Sequence, residues 1–111
     1  MDIKIPYSEM DLLIALISAN KALEKMDSKD LERFENELQA FVPRDKKTFN
    51  EQVALDNGVG VVDLIHSANY EVLIKEYRKK IILQGIEKVK KDLGLTDVQA
   101  WALFCRELKK I

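Results

Sequence analysis

Residues 61–93 read VVDLIHSANYEVLIKEYRKKIILQGIEKVKKDL, thirty-three positions without a proline. Apolar residues recur there at three and four rather than at two, which is the period of a helix and not of a strand. One unbroken helix of that span would be about 50 Å long at about 1.5 Å per residue. A chain of this size has an expected radius of gyration of only about 13 Å. The helix therefore breaks or kinks, at Ser67–Asn69 or at Gln84-Gly85, or it protrudes to meet a partner; a break is the expectation. Leu93-Gly94-Leu95 stops it, with Gly94 as a left-handed cap. Thr96-Asp97-Val98-Gln99 then has the spacing of a capping box and opens a last helix running towards Lys109.

Working back towards the N-terminus, the same period persists. Ser8 caps a first helix whose early acids, Glu9 and Asp11, suit the positive end of the helix dipole. Tyr7 and Leu12 occupy the two positions of a hydrophobic staple. This helix runs to about Met26, and its stretch Met10–Ala19 is apolar nearly all round. A second helix begins near Ser28, carries Leu31, Phe34, Leu38 and Phe41 as one apolar stripe, and stops before Pro43. Thr48-Phe49-Asn50-Glu51 has capping-box spacing and predicts a short third helix ending at Asn57-Gly58. Residues 1–7 alternate Ile3 and Ile5 with polar neighbours and read as a short extended arm. The expected architecture is a single all-α domain over 1–111: a bundle of four to six helices with an N-terminal arm and a long, kinked helix.

Composition agrees. The 111 residues are 47% apolar and 33% charged, enough for one core and too few for two ordinary domains. No apolar run approaches the roughly 18 residues of a membrane span, and no signal peptide opens the chain. With Cys105 the sole cysteine, no intrachain disulfide is possible, so a reducing, cytoplasmic setting is expected. The net charge is -1 but unevenly spread: residues 1–40 carry nine acids and five bases, residues 71–111 six acids and ten bases. The simplest use of that asymmetry is packing of the two halves against each other.

Few residues offer chemistry. Asp63 precedes His66, the single histidine, by three positions, so on a helix the carboxylate and imidazole share a face, the best acid–base pair available. A His66–Cys105 dyad requires a reactive thiol, whereas Cys105 sits inside Ala100-Trp101-Ala102-Leu103-Phe104 and reads as a small buried hydrophobe. One His and one Cys cannot supply a zinc site, and the acids lack calcium-loop spacing. Asn57-Gly58-Val59-Gly60 lacks the third glycine and the following Gly-Lys-Ser/Thr of phosphate loops. No catalytic residue, cofactor or metal is expected, and the chain is read as a non-enzyme.

Seven bases lie between Lys75 and Lys91, and Lys75, Arg78 and Lys79 share one face as a candidate phosphate-contacting stripe. Leu93-Gly94-Leu95-Thr96 with the apolar helix after it, over 94–108, resembles the second-helix region of ribbon-helix-helix antitoxins. That resemblance would imply a DNA-contacting strand upstream. The corresponding stretch, Ile74-Lys75-Glu76-Tyr77-Arg78-Lys79-Lys80, keeps a helical pattern, so no such strand is carried over.

Apolar surface is the more informative signal. Met10–Ala19 and Val98–Cys105 both lack a generous polar face, and a small bundle has material to surround one such helix but not two. Trp101 and Phe104, three apart, with Arg106 and Tyr77, are residue types enriched at binding hot spots. The expected function is steric: a small protein that binds another protein, as inhibitors, immunity proteins, antitoxins and phage anti-defence factors do. Its contact set would be Trp101, Phe104, Arg106 and Tyr77, rimmed by Lys75, Arg78 and Lys79, with homodimerisation through the same surface as one form. The alternative is a dimeric nucleic-acid-binding regulator using the 75–91 face.

Overall fold

The computed structural model describes residues 5–111. Within them the chain is all helical: α1 (Glu9–Glu24), α2 (Ser28–Phe41), α3 (Lys46–Asp56), α4 (Val61–Ile65), α5 (Tyr70–Leu93) and α6 (Asp97–Leu108). The alternation at Ile3 that suggested an extended arm lies outside the described residues.

The long helical stretch is cut where the expectation placed its first breakpoint. The α4 helix ends at His66, a turn follows at Ser67–Asn69, and α5 then runs through Gly85 without interruption. At about 1.5 Å per residue the 24 residues of α5 span about 36 Å, which fits within the 45 Å long axis of the molecule. Gly85 is therefore not a hinge. A Cβ there would lie 2.9 Å from Cε1 of Phe104 and press further into that ring, with Cγ of Phe41 at 3.0 Å. The glycine lets the ring of α6 sit directly on the backbone of α5.

Helix ends follow local chemistry. Ser8 and Asp11 form a reciprocal capping box on α1, and Thr96 and Gln99 form another on α6. Gly94 closes α5 at φ 65°, and the Leu95 N–H donates to the Lys90 carbonyl at 3.0 Å. The second helix begins at Ser28 as expected, with Asp27 as its cap, accepting from the Asp30 N–H at 2.8 Å. One start differs from expectation: Asp45 rather than Thr48 caps α3, accepting from the Thr48 N–H at 2.7 Å. An aspartate standing earlier in the chain satisfies the orphan N–H groups there, and the helix begins sooner.

The core places α6 at its centre. Ala100, Leu103 and Phe104 are fully buried, joined by Phe34 and Leu38 of α2, Phe49 and Val53 of α3, Leu64 of α4, and Ile82 and Val89 of α5. Asn50, a buried polar residue, accepts a hydrogen bond from the Tyr70 hydroxyl at 2.7 Å and ties α3 to the start of α5. On one flank of α6 lies α1, and α5 lies on another with α2 behind it.

Candidate interaction surface

The apolar residues of α1 form two lines, an inward one of Leu12, Ala15, Leu16, Ala19 and Leu23 and an outward one of Met10, Leu13, Ile14 and Ile17. Ala15 and Ala19 are buried against the rest of the bundle, with Leu23. Met10, Leu13, Ile14 and Ile17 are 63%, 52%, 60% and 50% exposed. Their spacing of three, four and seven makes one continuous stripe along the helix. An ordinary surface helix presents polar residues on the face opposite its buried line.

The inward choice has a steric cause. Alanines at i and i+4 let α1 approach α6 closely, where Ala100 and Ala102 are also buried. Polar residues of α1 then fix its register on α6. The Gln99 Nε2 donates to Ser18 Oγ at 2.8 Å, and Arg106 Nη1 donates to Asn20 Oδ1 at 2.7 Å. With this face held inward, Met10, Leu13, Ile14 and Ile17 on the opposite face are left to water. Beside the stripe, α1 and the start of α6 enclose a cleft of about 480 Å³ lined by Tyr7, Ile14, Ala15, Val98 and the polar Asp11 and Thr96.

The residues expected from sequence to form the contact set are placed differently. Phe104 has no exposed surface and is a core residue, because the Gly85 gap draws its ring between α5 and α6; this corrects the expectation that it contacts a partner. Trp101 is half-buried and meets the Tyr7 ring edge-on at 6.3 Å, so the segment entering α1 covers one side of it. Arg106 is bound on both sides, by Asn20 and by Glu107, whose Oε1 lies 2.9 Å from Nη2. It lines a cleft of about 660 Å³ between α1, α2 and the end of α6. Tyr77 packs edge-on against Phe49 at 5.3 Å; burial pushes its phenol upward, with Asp56 adding to the shift and Lys80 opposing it.

The basic stretch is likewise drawn into the fold. Arg78 is half-buried with its guanidinium 5.6 Å over the Phe49 ring, and Lys75 is half-buried. Lys80 pairs with Asp56, and Lys90 bridges Asp97 at 2.6 Å and Glu87 at 3.4 Å. The Asp97 hydrogen bond is the main cause of the raised Lys90 pKa. Lys79, Lys88 and Lys91 are exposed.

The candidate chemistry is not assembled. Asp63 turns back towards the start of α4, its Oδ2 3.6 Å from where a Gly60 Cβ would stand, and His66 is an exposed C-cap. Cys105 is half-buried, and burial pushes its thiol pKa up, away from the thiolate a nucleophile needs. Among the described residues no group of three or more His, Cys, Asp or Glu is placed to hold a metal, and no helix is long and apolar enough to cross a membrane.

Of the surfaces on the molecule, the α1 stripe is the one that sequence reasoning only half located. The stretch Met10–Ala19 was legible as lacking a polar face. The structure separates two apolar lines on that helix, Leu12, Ala15, Leu16, Ala19 and Leu23 packed inward and Met10, Leu13, Ile14 and Ile17 left open. Comparison with protein-family models, with curated proteins and with solved structures returned no match.

Proposed function

We propose that this chain is a non-enzymatic protein-binding module whose docking surface is the outer face of α1. The observation that carries the reading is the outward apolar stripe on that helix, Met10, Leu13, Ile14 and Ile17, on the side opposite the line Leu12, Ala15, Leu16, Ala19 and Leu23 that packs inward. Full burial of a Leu, Ile or Met side chain is worth about 1.5–3 kcal/mol, so covering four half-exposed ones offers a few kcal/mol before ordering costs. Four bulky residues arranged as one stripe, rather than scattered, form the kind of contiguous apolar surface that marks an interface. The mode of action is occlusion: α1 covers an apolar surface of the partner and brings no reactive group to it.

The test uses two surface variants. Leu13→Glu/Ile17→Glu removes the apolar stripe without touching the core, so the fold is retained. Trp101→Phe perturbs the site first suggested by sequence. A protein partner held by the wild type and by Trp101→Phe, and released by the double variant, is the expected result. A partner retained by the double variant and lost with Trp101→Phe would overturn the assignment to α1.

A further inference from the structure

The cleft between α1 and the start of α6 fits a ligand of one charge type, and we propose that it binds a small hydrophobic ammonium ion. At about 480 Å³ it falls within the range of about 300–1,000 Å³ usual for small-molecule sites. Ile14, Ala15, Val98 and the ring of Tyr7 give it an apolar wall. Most of its polar residues are engaged with one another. Gln99 Nε2 donates to Ser18 Oγ at 2.8 Å, and Gln99 Oε1 accepts from the Thr96 N–H at 2.9 Å. Thr96 Oγ1 in turn accepts from the Gln99 N–H at 3.3 Å.

Among the described residues Asp11 is the one charged side chain lining this cleft. Its Oδ2 accepts from the Ser8 N–H at 3.4 Å, long for a bond to a carboxylate, and its Oδ1 accepts no hydrogen bond among the described residues. The unmet acceptor capacity in the cleft is therefore anionic. An ammonium group beside Asp11 supplies the matching charge and donors, and its hydrocarbon part lies on Ile14, Ala15 and Val98. The Tyr7 ring adds the aromatic surface that cations favour. A carboxylate ligand of the same shape is repelled. The wider cleft between α1, α2 and the end of α6 carries Glu24, Glu35 and Glu107 against Arg106 and Lys110, so charge selects no ligand there. The ammonium site is independent of the docking role of α1, whose stripe shares only Ile14 with it.

The test follows backbone amide shifts of the full chain by NMR while three probes of matched length are titrated: phenylbutylammonium, phenylbutanol and phenylbutyrate. The ammonium should shift the amides of Ile14, Ala15 and Val98 with a dissociation constant of about 0.1–1 mM, as suits so small a ligand. The alcohol should bind several-fold more weakly and the carboxylate more weakly still. Asp11→Asn keeps an oxygen for the Ser8 N–H and should bring the ammonium to the level of the alcohol while leaving the alcohol unchanged. Leu13→Gln/Ile17→Gln, neutral so as not to draw the cation, should bind the ammonium as the wild type does. Shifts centred on Leu13 and Ile17, equal affinity for all three probes, or no saturable shift up to about 10 mM would each overturn the site. An Asp11→Asn chain that keeps the preference for ammonium would overturn the role of Asp11, and with it the assigned ligand class. Should that variant fail to fold, the order of the three probes on the wild type still decides.

Discussion

Gly85 shows how one atom decides a packing. By intrinsic propensity, alanine is better than glycine inside a helix by about 1 kcal/mol, so Gly85→Ala ought to stabilise an isolated α5. In the folded chain the added methyl meets the Phe104 ring on one side and Phe41 on the other. Overpacking of that kind costs about 1–3 kcal/mol and outweighs the propensity gain once the backbone must move. Gly85→Ala should therefore lower the unfolding midpoint by several degrees in a thermal melt, and a raised midpoint would show that the ring has room to turn aside. Cys105 makes a second residue-scale case. Its thiol is held above the ordinary value by burial, with nearby Lys109 opposing weakly. Alkylation by iodoacetamide near pH 8 should run markedly slower on the native chain than on the same chain in guanidinium. Equal rates would mean that the thiol is as accessible as in a free peptide.

At the scale of elements, much of the fold was legible because helix ends are local chemistry. Gly94 must adopt positive φ to close α5, and Thr96-Asp97-Val98-Gln99 must start α6; both needed only four or five residues to read. The break at Ser67–Asn69 came from comparing a length with a globule's size. What was not legible lies in competition between neighbours: Asp45 and Thr48 can each cap α3, and sequence alone does not rank them. The structure selects Asp45, and its hydrogen bonds with Thr48, first the backbone N–H and then the side chain, hold the carboxyl below its ordinary 3.8. A depressed native pKa means that this cap's contribution is present above the unfolded value near 3.8 and is lost as pH falls through the lower native value. Asp45→Asn keeps the accepting oxygen and abolishes the titration. Stability of the wild type should therefore decline more steeply below about pH 4 than that of Asp45→Asn, measured by urea unfolding across pH. Parallel profiles would show that Asp45 does not cap α3 in solution. The outward face of α1 was half legible for a related reason. Period alone marks the helix as apolar, whereas which of its two apolar lines packs inward is set by the long-range contact with α6.

For the whole molecule, the argument that a bundle this small surrounds one apolar helix and not two is realised with α6 enclosed and α1 left at the edge. Sequence reasoning assigned the open surface to α6 instead, because Trp101 and Phe104 are conspicuous residue types. Their fate is set by long-range packing: Phe104 fills the space that Gly85 leaves on α5, and Tyr7 lies across Trp101. The enclosed and peripheral helices should differ in how they open. Ala100, Leu103 and Phe104 of α6 are fully buried, so their amides exchange only when the domain unfolds as a unit. By contrast, α1 is held by Ala15, Ala19, Leu23, the half-buried Leu12 and Leu16 and the exposed or half-buried hydrogen bonds of Ser18 and Asn20, and its outer side chains stay in water. At low micromolar concentration, amides of α1 should exchange with a smaller opening free energy than those of α6. Phe104→Ala should destabilise the whole domain by about 3–5 kcal/mol and lower α6 protection accordingly. Asn20→Ala should lower protection in α1 alone. If α1 and α6 instead lose protection together in Asn20→Ala, the two helices unfold as one cooperative unit, and α1 belongs to the core rather than to its edge.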